Sequence, residues 1–315
     1  MDRYLAGHPD VFMARKEMHL FGADLRFGSQ FYRRDPAAYL EEFAGWNGQQ
    51  RVGESSVWYL FSKQAAAEMK AFSPNARVII MLREPADMLH SLYYSFRFDA
   101  NEDLPSFEAA LAAEDDRRAG RGIPATTYLS QGLVYRETVR YTEQVKRYFE
   151  VFGRERVHVI IYDDLAADAS AAYRATLEFL DVDARRTGIE FGKINSNQDV
   201  KSRALRSVLR NRLLCSAVLA IRPWLPRPLF GALQSVEARL RKLNCRPASR
   251  PAMAPELRRR LKSEFAPEVE RLSQLLGRDL THWSREVSGE QPARANATSP
   301  ARAEKDSNLV DAAWK

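Results

Sequence analysis

Along the chain, short apolar runs alternate with stretches whose apolar residues recur every three or four positions. Val78-Ile79-Ile80-Met81-Leu82 and Val157-His158-Val159-Ile160-Ile161 are bounded by charge, the pattern of strands buried on both faces of a parallel sheet. Arg51-Val52-Gly53-Glu54 predicts a further short strand. The helical period predicts helices over 36–46, 62–72, 133–152, 170–180, 201–219 and 255–276, the last stopped by Gly277. Another begins at Pro85, which suits a first helical turn, and continues through Met88, Leu89, Leu92, Tyr93 and Phe96. Residues 1–7 read as the final turns of a helix, and His8-Pro9-Asp10 as a turn. Strands alternating with helices predict an α/β layer fold with a mainly parallel sheet flanked by helices.

Composition narrows the organisation. At 315 residues with 45% hydrophobic content, the chain is read as one large domain over 1–286. Residues 287–315 turn to Ser, Ala, Pro, Asn and charge without periodicity, the composition of a disordered tail. Two cysteines, Cys215 and Cys245, exclude a disulfide framework, and the histidines show no metal-ligand spacing with them, so no metal is expected. The start has no apolar signal region, and the longest apolar stretch, 213–233, is broken by Arg222, Arg227 and prolines. A soluble, cytoplasmic protein without a transmembrane segment is therefore expected. The formal charge of +7 is uneven, with sixteen Lys and Arg between Lys201 and Lys262 against Glu237 and Glu256. Such a stretch serves an acidic ligand, such as a nucleotide, acidic glycan, anionic membrane or nucleic acid, or is a solvated helical surface.

The candidate chemistry starts where the first buried strand ends. Arg83-Glu84-Pro85 follows it, and Ser91 lies about two helical turns further on. Open α/β sheets bind ligands at the carboxyl ends of their strands, and an arginine fork with a hydroxyl can share one anion. The fragment alone is equally compatible with an arginine salt-bridged at a helix start. Lys16-Glu17, read alone, is an ordinary charged pair, and Trp58 and Tyr59 suit a core better than a pocket.

Several segments together resemble the sulfotransferase family that uses 3′-phosphoadenosine 5′-phosphosulfate, closest to its heparan-sulfate-type and bacterial branches. His8-Pro9-Asp10-Val11-Phe12-Met13 followed by Lys16-Glu17-Met18-His19-Leu20-Phe21 is similar to the family's "HPDIFM…KEPHFF" region. Arg83-Glu84-Pro85 with Ser91 resembles its motif for the donor's 3′-phosphate. Val159 to Leu165 is similar to "VLxYEDL", and Gly277-Arg278-Asp279-Leu280-Thr281-His282-Trp283 to the ending of bacterial members.

The resemblance implies a three-layer fold like that of P-loop nucleotide-binding enzymes and a sulfuryl transfer to a hydroxyl or amine of a glycan, lipid or small molecule. It implies Glu17 as general base, Lys16 as a charge-offsetting group and His19 as an orienting group. On the donor it implies Arg83 and Ser91, with Arg246 in place of the basic residue of a glycine-containing loop where this chain has Pro247. No nucleic acid partner is implied. Where heparan-type members read "EKTPAYF", this chain reads Glu54-Ser55-Ser56-Val57-Trp58-Tyr59-Leu60, so Ser55 replaces a lysine of the acceptor side. The family's glycine-rich 5′-phosphosulfate loop, "GxxKxGTTxL", and the strand before it have no counterpart here. An N-terminally truncated fold is therefore expected. The alternative is a non-catalytic remnant that binds a nucleotide, acidic glycan or nucleic acid through the basic half.

Overall fold

The computed structural model describes residues 1–28, 34–185, 191, 198–202, 239–240, 243–247 and 250–285. The helix expected at 201–219, most of the basic stretch and the tail at 287–315 lie outside the described residues. Helix α1 (Asp2–Leu5) leads through the His8-Pro9-Asp10 turn into β1 (Val11–Met13), followed by α2 (Pro36–Glu41), β2 (Arg51–Gly53) and α3 (Ala65–Phe72). Next come β3 (Val78–Leu82), α4 (Pro85–Phe98), α5 (Phe107–Ala112), α6 (Glu114–Arg118), α7 (Tyr135–Thr138) and α8 (Tyr141–Phe152). The chain continues through β4 (Val157–Ile161), α9 (Tyr162–Ala167), α10 (Ala169–Phe179), β5 (Gln198–Val200), β6 (Cys245–Pro247) and α11 (Pro255–Leu276).

The strands pair in parallel, β1 with β2 from Val11↔Arg51 and β3 with β4 from Val78↔Val157. A separate antiparallel ribbon joins β5 to β6, with Asp199 opposite Arg246. On one face of β3, Val78, Ile80 and Leu82 enter the main core with α4, α8 and α11, through Leu89, Tyr93, Val145, Tyr148, Leu261 and Leu272. On the other face, Ile79 packs against a smaller cluster of Tyr4 and Leu5 from α1, Val11, and Tyr173 and Leu177 from α10. Helix, parallel strand, helix is the three-layer arrangement that the alternation predicts.

Two expectations need correction. β3 is not covered along both faces, because the α1 and α10 layer reaches Ile79 and stops short of Met81, which is 40% exposed. The helix expected over 133–152 is a 3₁₀ turn, Ser130–Leu133, then α7 and α8, interrupted at Val139 and Arg140. One distant and one local hydrogen bond stabilise that break. Glu268 of α11 accepts from Thr142 N at 2.7 Å, and Gln144 Nε2 donates to Glu137 O at 3.1 Å, satisfying backbone groups that an unbroken helix would have paired internally.

Local punctuation explains the elements that frame the site. Glu84 caps α4 by accepting from Ala86 N and Asp87 N, with Pro85 in the first turn; this aims Arg83 out of the strand end. Gly277 ends α11 at φ +67°, a left-handed position that favours glycine. The ending beyond it folds back on β4: Trp283 Nε1 donates to Asp163 Oδ2 at 2.6 Å, His282 Nε2 lies 3.0 Å from the same oxygen, and Arg278 pairs with Asp164. Asp163 and Asp164 lie in the first turn of α9, directly after β4.

Candidate functional site

Two clusters form where strands end. The first follows β1. Ala14 N extends the pairing to Gly53 O at 2.9 Å, and the chain then continues alongside 54–57. Glu17 N donates to Ser55 O at 2.8 Å, and His19 N to Ser56 Oγ at 3.1 Å. To make both contacts, Glu17 and His19 take φ of +59° and +49°, which costs a side-chain-bearing residue of order 1 kcal/mol or more each and is concentrated at functional sites.

That turn places the Glu17 carboxylate against the His19 ring. Glu17 Oε2 accepts from His19 Nε2 at 3.0 Å and from Val57 N at 3.2 Å, while Oε1 takes no hydrogen bond from the described residues. The His19 side chain is 1% exposed and that of Glu17 28% exposed, so one partner is fixed and the other reaches solvent. His19 also stacks on Phe27, centroids 4.7 Å apart. An ionised carboxylate with one oxygen held and one open can accept a proton from a hydroxyl or amine. Lys16 is turned elsewhere: its Nζ lies 3.5 Å from Asp2 Oδ2 and its side chain is 50% exposed.

Behind this turn stands a second carboxyl. Ser56 Oγ, the acceptor for His19 N, donates to Glu54 Oε2 at 2.9 Å. Burial pushes the Glu54 carboxyl up to about 7, against hydrogen bonds from Tyr59 and Ser56 that favour the ion; the charges of Glu17 and Asp2 push the same way as burial. Trp58 and Tyr59 are core residues. The Trp58 indole donates to Tyr128 Oη at 3.0 Å and stacks on Phe96, and both residues are buried.

The second cluster lies at the end of β3. Arg83 leaves the strand with its guanidinium 5.0 Å above the Tyr162 ring at the end of β4 and its Nη2 3.4 Å from Asp87. Ser91, two turns along α4, accepts from Arg250 Nη1 at 2.7 Å. Arg258 of α11 reaches Asp87 at 2.7 Å. Two guanidinium groups thus flank the Asp87 carboxylate, with that of Arg250 beside them on Ser91. Burial alone would raise Asp87, but Arg258 and Arg83 outweigh it and hold the carboxyl below its ordinary value. Burial, and then the nearby charge of Arg83, push Arg250 down, the signature of two cations held close without enough negative charge between them. Burial and the charge of Asp87 push the Glu84 carboxyl up. The excess of positive charge beside a hydroxyl suits a dianionic phosphate.

The structure therefore brings Arg83 and Ser91 into one cluster and Glu17 and His19 into another. Arg246 is placed only by its backbone, on β6 opposite Asp199. Arg250, Asp87, Arg258 and Tyr162 complete the second cluster without having been singled out as site residues. In an arginine-rich stretch nothing local distinguishes Arg250, whose partner lies 159 residues away. Among the described residues no group of three or more His, Cys, Asp and Glu side chains could hold a metal, and no helix is long and apolar enough to cross a membrane.

Comparison with known proteins places the chain in a family. A family model described as a sulfotransferase domain matches residues 54–206, a span that contains Arg83 and Ser91 but neither Glu17 nor Arg250. A membrane-associated sulfotransferase, kil1, of Dictyostelium discoideum is 19% identical over 285 aligned residues, covering 68% of this chain and 59% of that protein. The chain thus spans 59% of the length of that curated relative. The crystal structure of a sulfotransferase from Alicyclobacillus acidocaldarius is similar with a TM-score of 0.63 and 30% identity, over 90% of this chain and 92% of that one. The layered α/β fold and the sequence resemblance both agree with these matches, and the chain belongs to the sulfotransferase family.

Proposed function

We propose that the protein is a sulfotransferase that moves a sulfuryl group from 3′-phosphoadenosine 5′-phosphosulfate to a hydroxyl or amine acceptor. The observation that carries this reading is the gathering of Arg83, Arg250 and Ser91 at the end of β3 around Asp87. A 3′-phosphate is the group that separates this donor from ordinary adenine nucleotides, and charge-assisted hydrogen bonds from two arginines and a hydroxyl fit it. Tyr162 and Asp87 orient Arg83, and Arg258 holds Asp87. Arg246 is assigned to the same end of the donor on sequence resemblance alone.

When bound, the donor supplies the activated sulfuryl group; sulfuryl transfer otherwise demands positioning and charge stabilisation from the protein, by analogy with phosphoryl transfer. Glu17 takes the acceptor's proton on Oε1 while the new bond to sulfur forms. His19 and Val57 N hold Oε2 so that the open oxygen faces the acceptor. Lys16 offsets negative charge near the base after leaving Asp2. The acceptor is a glycan, a lipid or a small molecule bearing a nucleophilic hydroxyl or amine.

The reading is tested by incubating the protein with sulfur-labelled donor and representatives of those acceptor classes. Label transfer that Glu17→Gln lowers supports it. No transfer to any class, with donor binding shown to be saturated, contradicts it.

A further inference from the structure

We propose that Glu54 is a positioning residue for Glu17: through Ser56 it fixes the turn that presents the Glu17 carboxylate, and its own charge favours removal of the acceptor's proton there. The inference rests on the reading of Glu17 as the base. It starts from three hydrogen bonds in series, Glu54 Oε2 from Ser56 Oγ, Ser56 Oγ from His19 N, and Glu17 Oε2 from His19 Nε2.

The series has a consistent direction. Ser56 has one hydroxyl proton, and Glu54 takes it, which leaves the Ser56 oxygen as an acceptor for His19 N. Without Glu54, that hydroxyl is free to rotate and the left-handed His19, at φ +49°, loses an ordered acceptor for its N–H. Since the same residue's ring carries Glu17 Oε2, loosening it releases the base. Glu54 Oε1 is enclosed and takes no hydrogen bond, a costly state for an ion and a tolerable one for a neutral acid.

The charge coupling is set by what faces Glu54. Glu17 and Asp2 supply negative charge, Tyr59 and Ser56 supply hydrogen bonds, and the carboxyl in turn acts on Tyr39 of α2 and Tyr148 of α8. No cation is among its principal partners. With the proton held by burial until about pH 7, Glu54 is neutral on the acid side of neutrality and an anion above it. Ionised, Glu54 adds negative charge beside the carboxylate that takes the acceptor's proton, which favours that proton's removal. Turnover therefore rises as pH passes through about 7.

Two measurements test this, one without turnover. The Glu54 side-chain carbon, followed by NMR against pH, has a midpoint near 7 that falls in Glu17→Gln, because that variant removes a charge opposing ionisation. An unchanged midpoint overturns the coupling whether or not the protein transfers sulfuryl groups. In the transfer assay, Glu54→Gln keeps an acceptor for Ser56 and loses the rise in rate near neutrality, while Glu54→Ala lowers turnover roughly tenfold or more with donor affinity unchanged. A Glu54→Gln profile identical to that of the natural protein, with the fold intact, overturns the proposal. A wild type that transfers nothing while the NMR coupling holds counts against Glu17 as the base of a sulfuryl transfer and leaves the coupling standing.

Discussion

The two clusters at the strand ends are built in opposite ways. Around Arg83, long side chains from α4, the segment before α11, and α11 itself converge from distant parts of the chain, and the surplus is positive charge. Around Glu17, the parts come from two adjacent backbone segments, the surplus is carboxyl groups, and the cost is left-handed backbone. A cluster of guanidinium groups gains most from a bound anion and needs little backbone precision. One open carboxylate oxygen must instead be aimed at a proton. Under the proposed function the difference is that between holding a substrate and reacting with it, and it predicts that substitutions in the two clusters affect different measurements.

The largest effect is expected from Glu17→Gln, which lowers turnover roughly 100-fold or more while leaving affinity for 3′-phosphoadenosine 5′-phosphate nearly unchanged. Steady-state rates beside calorimetry check it, and a parallel loss of affinity breaks the division between the clusters. Arg250→Ala is expected to do the reverse, weakening that nucleotide about 10- to 100-fold by removing a charged hydrogen-bond donor, with little effect on AMP. Ser91→Ala removes a hydroxyl and is expected to cost about fivefold in the same titration.

The smallest effect is on stability. Glu54 keeps its proton in the fold up to about pH 7, whereas the unfolded chain loses it near the ordinary value of 4.5. Stability therefore falls as pH rises between those values. Glu54→Gln is expected to be more stable than the natural protein at pH 8 by about 1–2 kcal/mol, after allowance for partial exposure, and no more stable at pH 4. Thermal unfolding at the two pH values measures it, and an equal difference at both assigns the effect to packing.

Much of the framework is legible from local pattern. Two five-residue apolar runs became β3 and β4, Pro85 and Glu84 began α4, and Gly277 ended α11. What local pattern missed is decided by contacts distant in sequence. Val134, Thr138, Tyr141 and Val145 keep one helical period, yet Glu268, 126 residues from Thr142, stabilises a break among them. Met81 belongs to an unbroken apolar run but lies beyond the reach of α1 and α10. Arg83 and Ser91 share one helix start and were legible as a pair, while Arg250 reaches Ser91 only in the folded chain. Family resemblance singled out Lys16, Glu17 and His19, of which the fold pairs Glu17 with His19 and turns Lys16 to Asp2; nothing in their composition announces the two left-handed residues or the Glu54 carboxyl behind them.

The central claim is that the cluster of Arg83, Ser91 and Arg250 is a 3′-phosphate site. Isothermal titration of the protein with 3′-phosphoadenosine 5′-phosphate and with AMP, at one ionic strength, tests it most directly. The account predicts that the 3′-phosphorylated nucleotide binds roughly tenfold tighter or more, the increment of charge-assisted hydrogen bonds. Equal affinity for the two nucleotides would contradict it.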